Sequence, residues 1–225
     1  MAQAAARDSG PEVFEVFTPR QNAVLESALH LLVEGGDRAL TTAGIARAAN
    51  CSKESLYKWF GDRDGVLAAV VGYQASKVRV LGPGEMPGSL SSFREHLTRF
   101  ADDLLAVLSG EASLALNRLA IGQASRADAK LGHLVLERGR RMIELRAGAL
   151  LETGRRRGFL AYDDADEAYR ALYGLIIGDF HVRQLLGDQL TSQEKDFKAR
   201  ARVAIGQFFK LYGTGAAAHA TNARS

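Results

Sequence analysis

The stretch Thr41–Phe60, TTAGIARAANCSKESLYKWF, constrains the fold of this chain more than any other. Thr41 or Thr42 is a good helix N-cap, and Ile45, Ala46 and Ala49 follow at helical spacing. Asn50 and Cys51 interrupt the pattern, Ser52 offers a second N-cap, and Lys53 to Phe60 forms another brief helix with Leu56 and Phe60 inward. Two short helices joined by a tight turn make a helix-turn-helix. With Leu56 and Phe60 packed, the second helix presents Lys53, Glu54, Ser55, Tyr57, Lys58 and Trp59. A helix of this width fits the major groove of B-DNA, where hydroxyls, amines and aromatic rings reach phosphates and base edges. From spacing alone, a helical hairpin in an ordinary all-helical protein explains the pattern equally well.

Linked positions around that stretch add a resemblance. A first helix is followed by Gly35–Gly36, then Thr41–Thr42, Ile45–Ala46, Ser52–Lys53, Leu56–Tyr57, Phe60 and Arg63. Over residues 20–70 this order resembles the DNA-binding domain of the TetR family of bacterial transcriptional regulators. It departs from the family pattern at Glu54, where a small residue is usual, and at Trp59, where histidine is frequent. The resemblance implies that Thr42, Tyr57, Lys58 and Arg63 touch phosphates and set register. Ser52, Lys53, Glu54 and Ser55, at the start of the recognition helix, can reach base edges, lysine favouring guanine and glutamate accepting from cytosine. Trp59 can stack on sugar or pack against the fourth helix.

In chain order, residues 1–17 read as a disordered tail and 18–81 as the helix-turn-helix unit with a linking helix. Thr18 caps a first helix that Pro19 starts, with Val24, Leu25, Ala28, Leu31 and Leu32 inward, and Leu40 plugs the small core. Asp62 caps a fourth helix running to about Val80, and the Gly/Pro-rich 82–89 marks a boundary loop. Residues 82–212 read as a second all-helical unit. Its helices are expected at Leu90–Leu108, Glu111–Ser125, about Ala127–Glu152, Asp163 or Asp164 to Leu186, and Gln193–Tyr212. Residues 213–225 read as a frayed tail. The expected class is therefore all-α, about nine helices in total.

The last two helices carry more apolar surface than one core requires. Ala171, Gly174, Leu175, Gly178 and Val182 on the first, with Phe197, Ala201, Ala204, Ile205 and Phe208 on the second, are the candidate homodimer interface, two helices from each chain forming a four-helix bundle. A thick monomer core is the alternative. The resemblance further implies an apolar effector cavity in the second unit. Candidate walls are Phe100, Leu104, Leu119, Met142, Tyr173 and Phe180, with His96, Asn117, Arg138 and His181 as polar anchors. A small apolar or amphipathic effector, of identity unknown from the sequence, would alter the spacing of the two recognition helices and release a palindromic double-stranded operator. Repression is the family's usual mode.

Charge and cysteine content narrow the remaining classes. The net charge is +3 and the isoelectric point near 9.1, which permits nucleic-acid binding without demonstrating it. Locally, Arg38, Arg47, Lys53, Lys58 and Arg63 outweigh Glu54 and Asp62, a modest patch that favours two domains acting together. No apolar run approaches the ~20 residues of a membrane span, and the N-terminus lacks a signal-peptide pattern, so a cytoplasmic location is expected. Cys51 is the single cysteine, and His30, His96, His133, His181 and His219 are scattered without metal-ligand spacing. No phosphate loop or nucleophile elbow appears, so neither cofactor, metal nor catalysis is expected. The rival reading is a helical ligand carrier or scaffold whose helix-turn-helix has lost DNA, suggested by the carboxylate of Glu54.

Overall fold

The computed structural model describes residues 17–80, 87–125 and 129–215. The expected N-terminal tail through residue 16, most of the boundary loop and the C-terminal tail from residue 216 lie outside the described residues. Within them the chain is all-α apart from one isolated β-bridge.

Helix α1, Pro19–Ala39, opens on a reciprocal cap. The Thr18 N–H donates to Gln21 Oε1 at 2.8 Å, and the Gln21 N–H donates to Thr18 Oγ1 at 3.3 Å. The helix kinks at Gly36, and Leu40 beyond it is buried, plugging the bundle as its position predicts. Val24, Leu25, Ala28, Leu29 and Leu32 form the inner face; Leu29 takes the place expected of Leu31, which is only partly buried. Phe17 belongs to this core and not to a tail, its ring 6.3 Å from Phe60 and 6.4 Å from Tyr73.

Helix α2, Thr42–Ala48, is capped by Thr41, and α3, Lys53–Phe60, by Ser52. Helix α4, Arg63–Ser76, is capped by Asp62. It stops short of Val80 because the Arg146 guanidinium takes the carbonyls of Ala75 and Val78. Ala75 and Val78 then enter the larger hydrophobic core, whereas Val66–Val71 belong to the helix-turn-helix core. One helix thus contributes to both cores.

The remaining elements are α5 (Leu90–Ser109), α6 (Glu111–Gln123), α7 (Lys130–Leu134), α8 (Arg141–Arg156), α9 (Ala165–Ile177), α10 (Phe180–Leu185) and α11 (Phe197–Tyr212). A π-helical segment, Val135–Arg140, joins α7 to α8. Its wider turn rotates the buried face, which accounts for the two adjoining apolar stripes in that stretch. Leu131 consequently packs with Leu116 and Ala120 into the helix-turn-helix core, while Ile143, Ala147 and Leu150 pack into the larger one.

The helix expected to run unbroken to Leu186 divides at Gly178, whose φ of 55° favours glycine. Arg200 seals the break by donating to the carbonyls of Ile176 at 3.0 Å and Ile177 at 2.8 Å. The last helix begins at Phe197 instead of Gln193, because Thr191 and Glu194 bond each other in a preceding turn. Gly213 and Thr214, expected to fray, are tied to the α8–α9 turn. The Ala161 N–H donates to Tyr212 O at 2.8 Å, and the Thr214 hydroxyl donates to Gly158 O at 2.8 Å.

The α11 stripe differs most from expectation. Ala201, Ala204, Ile205 and Phe208 are at most 3% exposed, buried within the protomer in a core shared with α5 and α9, and Phe197 is half-buried with its ring 6.3 Å from Phe180. This stripe is protomer core. Ala171 and Leu175 are half-buried, whereas Gly174, Gly178 and Val182 remain exposed. Leu186 and Val203 add exposed apolar surface that the sequence pattern did not single out, and Leu211, which shares the apolar pattern of the last helix, is 65% exposed.

Candidate nucleic-acid interface and cavity

The helix-turn-helix is set by short-range caps and one long-range clamp. Thr41 Oγ1 accepts from the Gly44 N–H at 3.0 Å, and Ser52 Oγ accepts from the Ser55 N–H at 3.1 Å. Between the helices, Asn50 adopts φ 48°, a left-handed conformation that asparagine tolerates. Arg20 on α1 donates to the carbonyls of Ala49 at 3.1 Å and Asn50 at 2.7 Å, fixing that turn. The periodic pattern did not mark Arg20, because its partners are backbone atoms some thirty residues away.

The outward face of α3 carries Ser52, Lys53, Glu54, Tyr57 and Lys58, all exposed, with Arg63 exposed at the start of α4. Thr42 and Ser55 are half-buried, and Ser55 shares a hydroxyl contact of 3.1 Å with Ser52. Trp59 is partly buried against the helix-turn-helix core, its ring edge-on to Phe60 at 6.3 Å, so packing occupies it. The Glu54 carboxylate is held below its ordinary pKa by its own backbone N–H, by the Ser52 hydroxyl and by Lys53, against slight desolvation. It is thus a charged group engaged at the positive end of a helix.

A cavity of about 230 Å³ opens between α4, α5, α6, the π-segment and α9–α10. Asn117, Tyr173 and His181 of the expected pocket line it. The other candidates lie elsewhere. Phe100 and Leu104 are buried in the larger core, and Leu119 packs against the helix-turn-helix core. His96 turns back on its own helix, Nδ1 2.7 Å from the Ser92 carbonyl. Phe180 is packed with Phe197 and beneath the Arg200 guanidinium, Arg138 points outward, and Met142 is half-buried away from the lining. Shared helical periodicity does not distinguish a wall from a core, which is why seven of these side chains fall outside.

The lining residues that pattern reasoning missed include Gln74, Ser113, Gly139 and Arg140. Gln74 was legible as an amide within the apolar run Val66–Ala75. It is 8% exposed and donates through Nε2 to Ser113 Oγ at 3.0 Å, joining α4 to α6. Burial lowers the His181 pKa, opposed by a bond to the Leu108 backbone, and keeps the imidazole neutral at pH 7. Burial likewise raises Tyr173, opposed by the Arg140 charge and hydrogen bond; Arg140 also lies 4.7 Å from the Tyr173 ring centroid. Among the described residues no cluster of three or more His, Cys, Asp or Glu could hold a metal, and no single helix is long and apolar enough to cross a membrane.

Comparison with known proteins fits this geometry. Residues 24–70 match the model of bacterial regulatory proteins of the tetR family, and residues 95–214 match the C-terminal domain of AefR-like transcriptional repressors. A crystal structure of a TetR transcriptional regulator from Agrobacterium tumefaciens is 60% identical, with a TM-score of 0.76, covering 91% of this chain and 99% of its own. A TetR-family regulator from Mesorhizobium loti shares the fold at 22% identity, with a TM-score of 0.66 over 87% of this chain and 97% of its own. A helix-turn-helix regulator of Bacillus subtilis, YdeS, is 27% identical over 170 residues, 75% of this chain and 80% of the relative. By the span of these matches and the helix-turn-helix they contain, the chain belongs to the TetR family of transcriptional regulators.

Proposed function

We propose that this regulator is a homodimeric, sequence-specific repressor, released from a palindromic operator by a small apolar or amphipathic effector held in the cavity. Residues 18–81 form the DNA-reading unit and 82–212 the effector-binding and dimerisation unit. Tyr57, Lys58, Arg63 and Thr42 hold phosphates, and Ser52, Lys53 and Ser55 approach base edges. The observation that carries this reading is α4: its N-terminal half packs into the helix-turn-helix core, and Val71, Gln74 and Ala75 of its C-terminal half wall the cavity. An occupant pressing α4 away from α6 shifts the recognition helices from the ~34 Å spacing that a dimer needs on B-DNA. The match to the C-terminal domain of AefR-like transcriptional repressors supports repression as the mode.

The test is operator DNA, selected from a random library, titrated at several salt concentrations against wild type and the pair Tyr57→Phe, Lys58→Ala. Loss of the Lys58 charge should flatten the logarithmic salt slope by about 0.9 per protomer, and loss of both contacts should weaken binding alike on every sequence. Binding that survives unchanged at all salt concentrations would sink the phosphate role.

A further inference from the structure

The polar groups at the cavity are unevenly spent. Every donor whose bond is known there is engaged: Gln74 Nε2 with Ser113 Oγ at 3.0 Å, Asn117 Nδ2 with the Ser113 carbonyl at 2.8 Å, and Arg140 with Tyr173. Two buried atoms on lining residues have no hydrogen-bond partner among the described residues, Gln74 Oε1 and His181 Nδ1. The first is an acceptor by chemistry. The second is the buried ring nitrogen without a partner, and it accepts when the single proton of the neutral ring sits on Nε2, the tautomer that leaves Nδ1 bare. A buried acceptor without a donor costs the full desolvation of that group, so the cavity favours an occupant that supplies donors.

Charge and size restrict the occupant further. Arg140 is the one charged side chain in the lining, and its charge is shared with the Tyr173 ring and hydroxyl. A cation would meet it without a counter-charge, and a carboxylate would turn lone pairs toward the two bare acceptors. The apolar wall, Val71, Val107, Leu108, Val135, Leu136 and Ile143, takes a ring or a compact hydrocarbon body. At about 230 Å³ the space is below the ~300–1,000 Å³ of drug-sized sites, which excludes a long chain held in full. The π-segment contributes Val135, Leu136, Gly139 and Arg140 to the lining, in keeping with the frequent placement of such turns at functional sites.

We infer that the effector is a compact, uncharged molecule with an apolar, ring-sized body and a hydroxyl or N–H donor for Gln74 Oε1 or His181 Nδ1, one donor for each acceptor it satisfies. This rests on the proposed effector role of the cavity and adds the chemical class. Because Gln74 bridges α4 to α6, a donor that recruits its carboxamide acts on the bond joining the helix that packs against the helix-turn-helix to the cavity wall.

The test is calorimetric titration of the full-length protein at pH 7 with three matched probes: β-naphthol, its methyl ether and β-naphthoate. The naphthol should bind about tenfold tighter than the ether, the difference one satisfied buried acceptor makes, and the carboxylate should be weakest. Whichever of Gln74→Leu and His181→Phe removes the acceptor that the naphthol uses should erode the preference for naphthol over ether, and Leu136→Ala should weaken all three alike. Equal or tighter binding of the ether or carboxylate, a preference that survives both acceptor substitutions, or no binding of any probe overturns the inference. Operator affinity, measured in parallel, separates this from the regulatory reading. Naphthol-preferring binding that leaves DNA affinity unchanged removes the effector role and keeps the ligand class; carboxylate-preferring binding that releases DNA does the reverse.

Discussion

Arg146 on α8 donates through Nη1 to the Ala75 carbonyl at 3.0 Å and to the Val78 carbonyl at 3.4 Å, closing the C-terminal end of α4. The last carbonyls of a helix have no partner within it, and a cation there also complements the helix dipole. Burial lowers the pKa of this arginine, because desolvation disfavours its charged form. Arg146→Met keeps the apolar stem and removes the donors. Allowing for partial exposure, the cost should be about 1–2 kcal/mol, read as a melting temperature lower by several degrees. An unchanged melt would mean that water replaces the guanidinium at no cost.

The α3–α4 junction admits no side chain at Gly65. A Cβ built there would stand 1.8 Å from the Phe60 carbonyl oxygen, while the Gly65 N–H donates to Asp62 Oδ1 at 2.8 Å. Gly65→Ala must displace α3, α4 or both, at a cost of about 3 kcal/mol or more, and should lose operator binding in the fraction that still folds. Gly148→Ala in α8 is the control, since nothing lies within 4 Å of its Cβ. That substitution should be neutral or stabilise by up to ~1 kcal/mol. Equal melting shifts for the two would show that the junction yields.

Caps and local periodicity made the first four helices legible: Thr18, Ser52 and Asp62 each cap the helix their position predicts. The cavity was less legible, because Phe100 and Leu104 share the spacing of true lining residues, and only packing separates the two. The α11 stripe misled for a related reason. Ala201, Ala204, Ile205 and Phe208 repeat as an interface would, yet α5 and α9 of the same protomer take them up. Breaks set by distant partners, such as Arg200 on the carbonyls before Gly178, leave little local trace.

Acid should loosen the turn before α11 late. The Glu194 carboxylate accepts from the Thr191 N–H and hydroxyl, both at 2.9 Å, and from Arg183 at 2.8 Å. These bonds, the Thr191 backbone first, push its pKa down to about 2 from an ordinary 4.5. A depressed carboxylate contributes stability that is present above the unfolded value and is lost as pH falls through the folded one. The stability difference between wild type and Glu194→Gln should therefore hold steady above pH 4.5 and vanish as pH approaches 2. A difference that persists unchanged to pH 2 would assign the effect to shape and not to charge.

Glu54 is held below its ordinary pKa on the face proposed to meet phosphate, so it should oppose binding to DNA in general. Removing its charge by Glu54→Gln should raise affinity for unrelated DNA several-fold at low salt, an effect that fades as salt screens the interface. The same change removes an anion from the start of α3 and should lower the melting temperature slightly. Competition between operator and unrelated DNA reads both the gain and any loss of discrimination. Unchanged affinity for unrelated DNA would mean that Glu54 lies outside the contact.

With the inner stripe of α11 used within the protomer, the exposed apolar surface around α10 and α11 that the proposed dimer could bury includes Val182, Leu186 and Val203, respectively 58%, 84% and 61% exposed, beside the exposed Gly174 and Gly178. Small residues allow close helix approach, and the large apolar ones supply the area that an obligate dimer buries. Val182→Asp together with Val203→Asp places two carboxylates where the proposed interface would be dry, and neither side chain is buried in the protomer. Sedimentation should then shift from dimer to monomer with the helical circular dichroism intact, and operator binding should fall because one domain makes few contacts. Ala201→Asp should instead unfold the protomer, since Ala201 is fully buried. A dimer that withstands the double substitution would move the interface away from α10 and the outer face of α11.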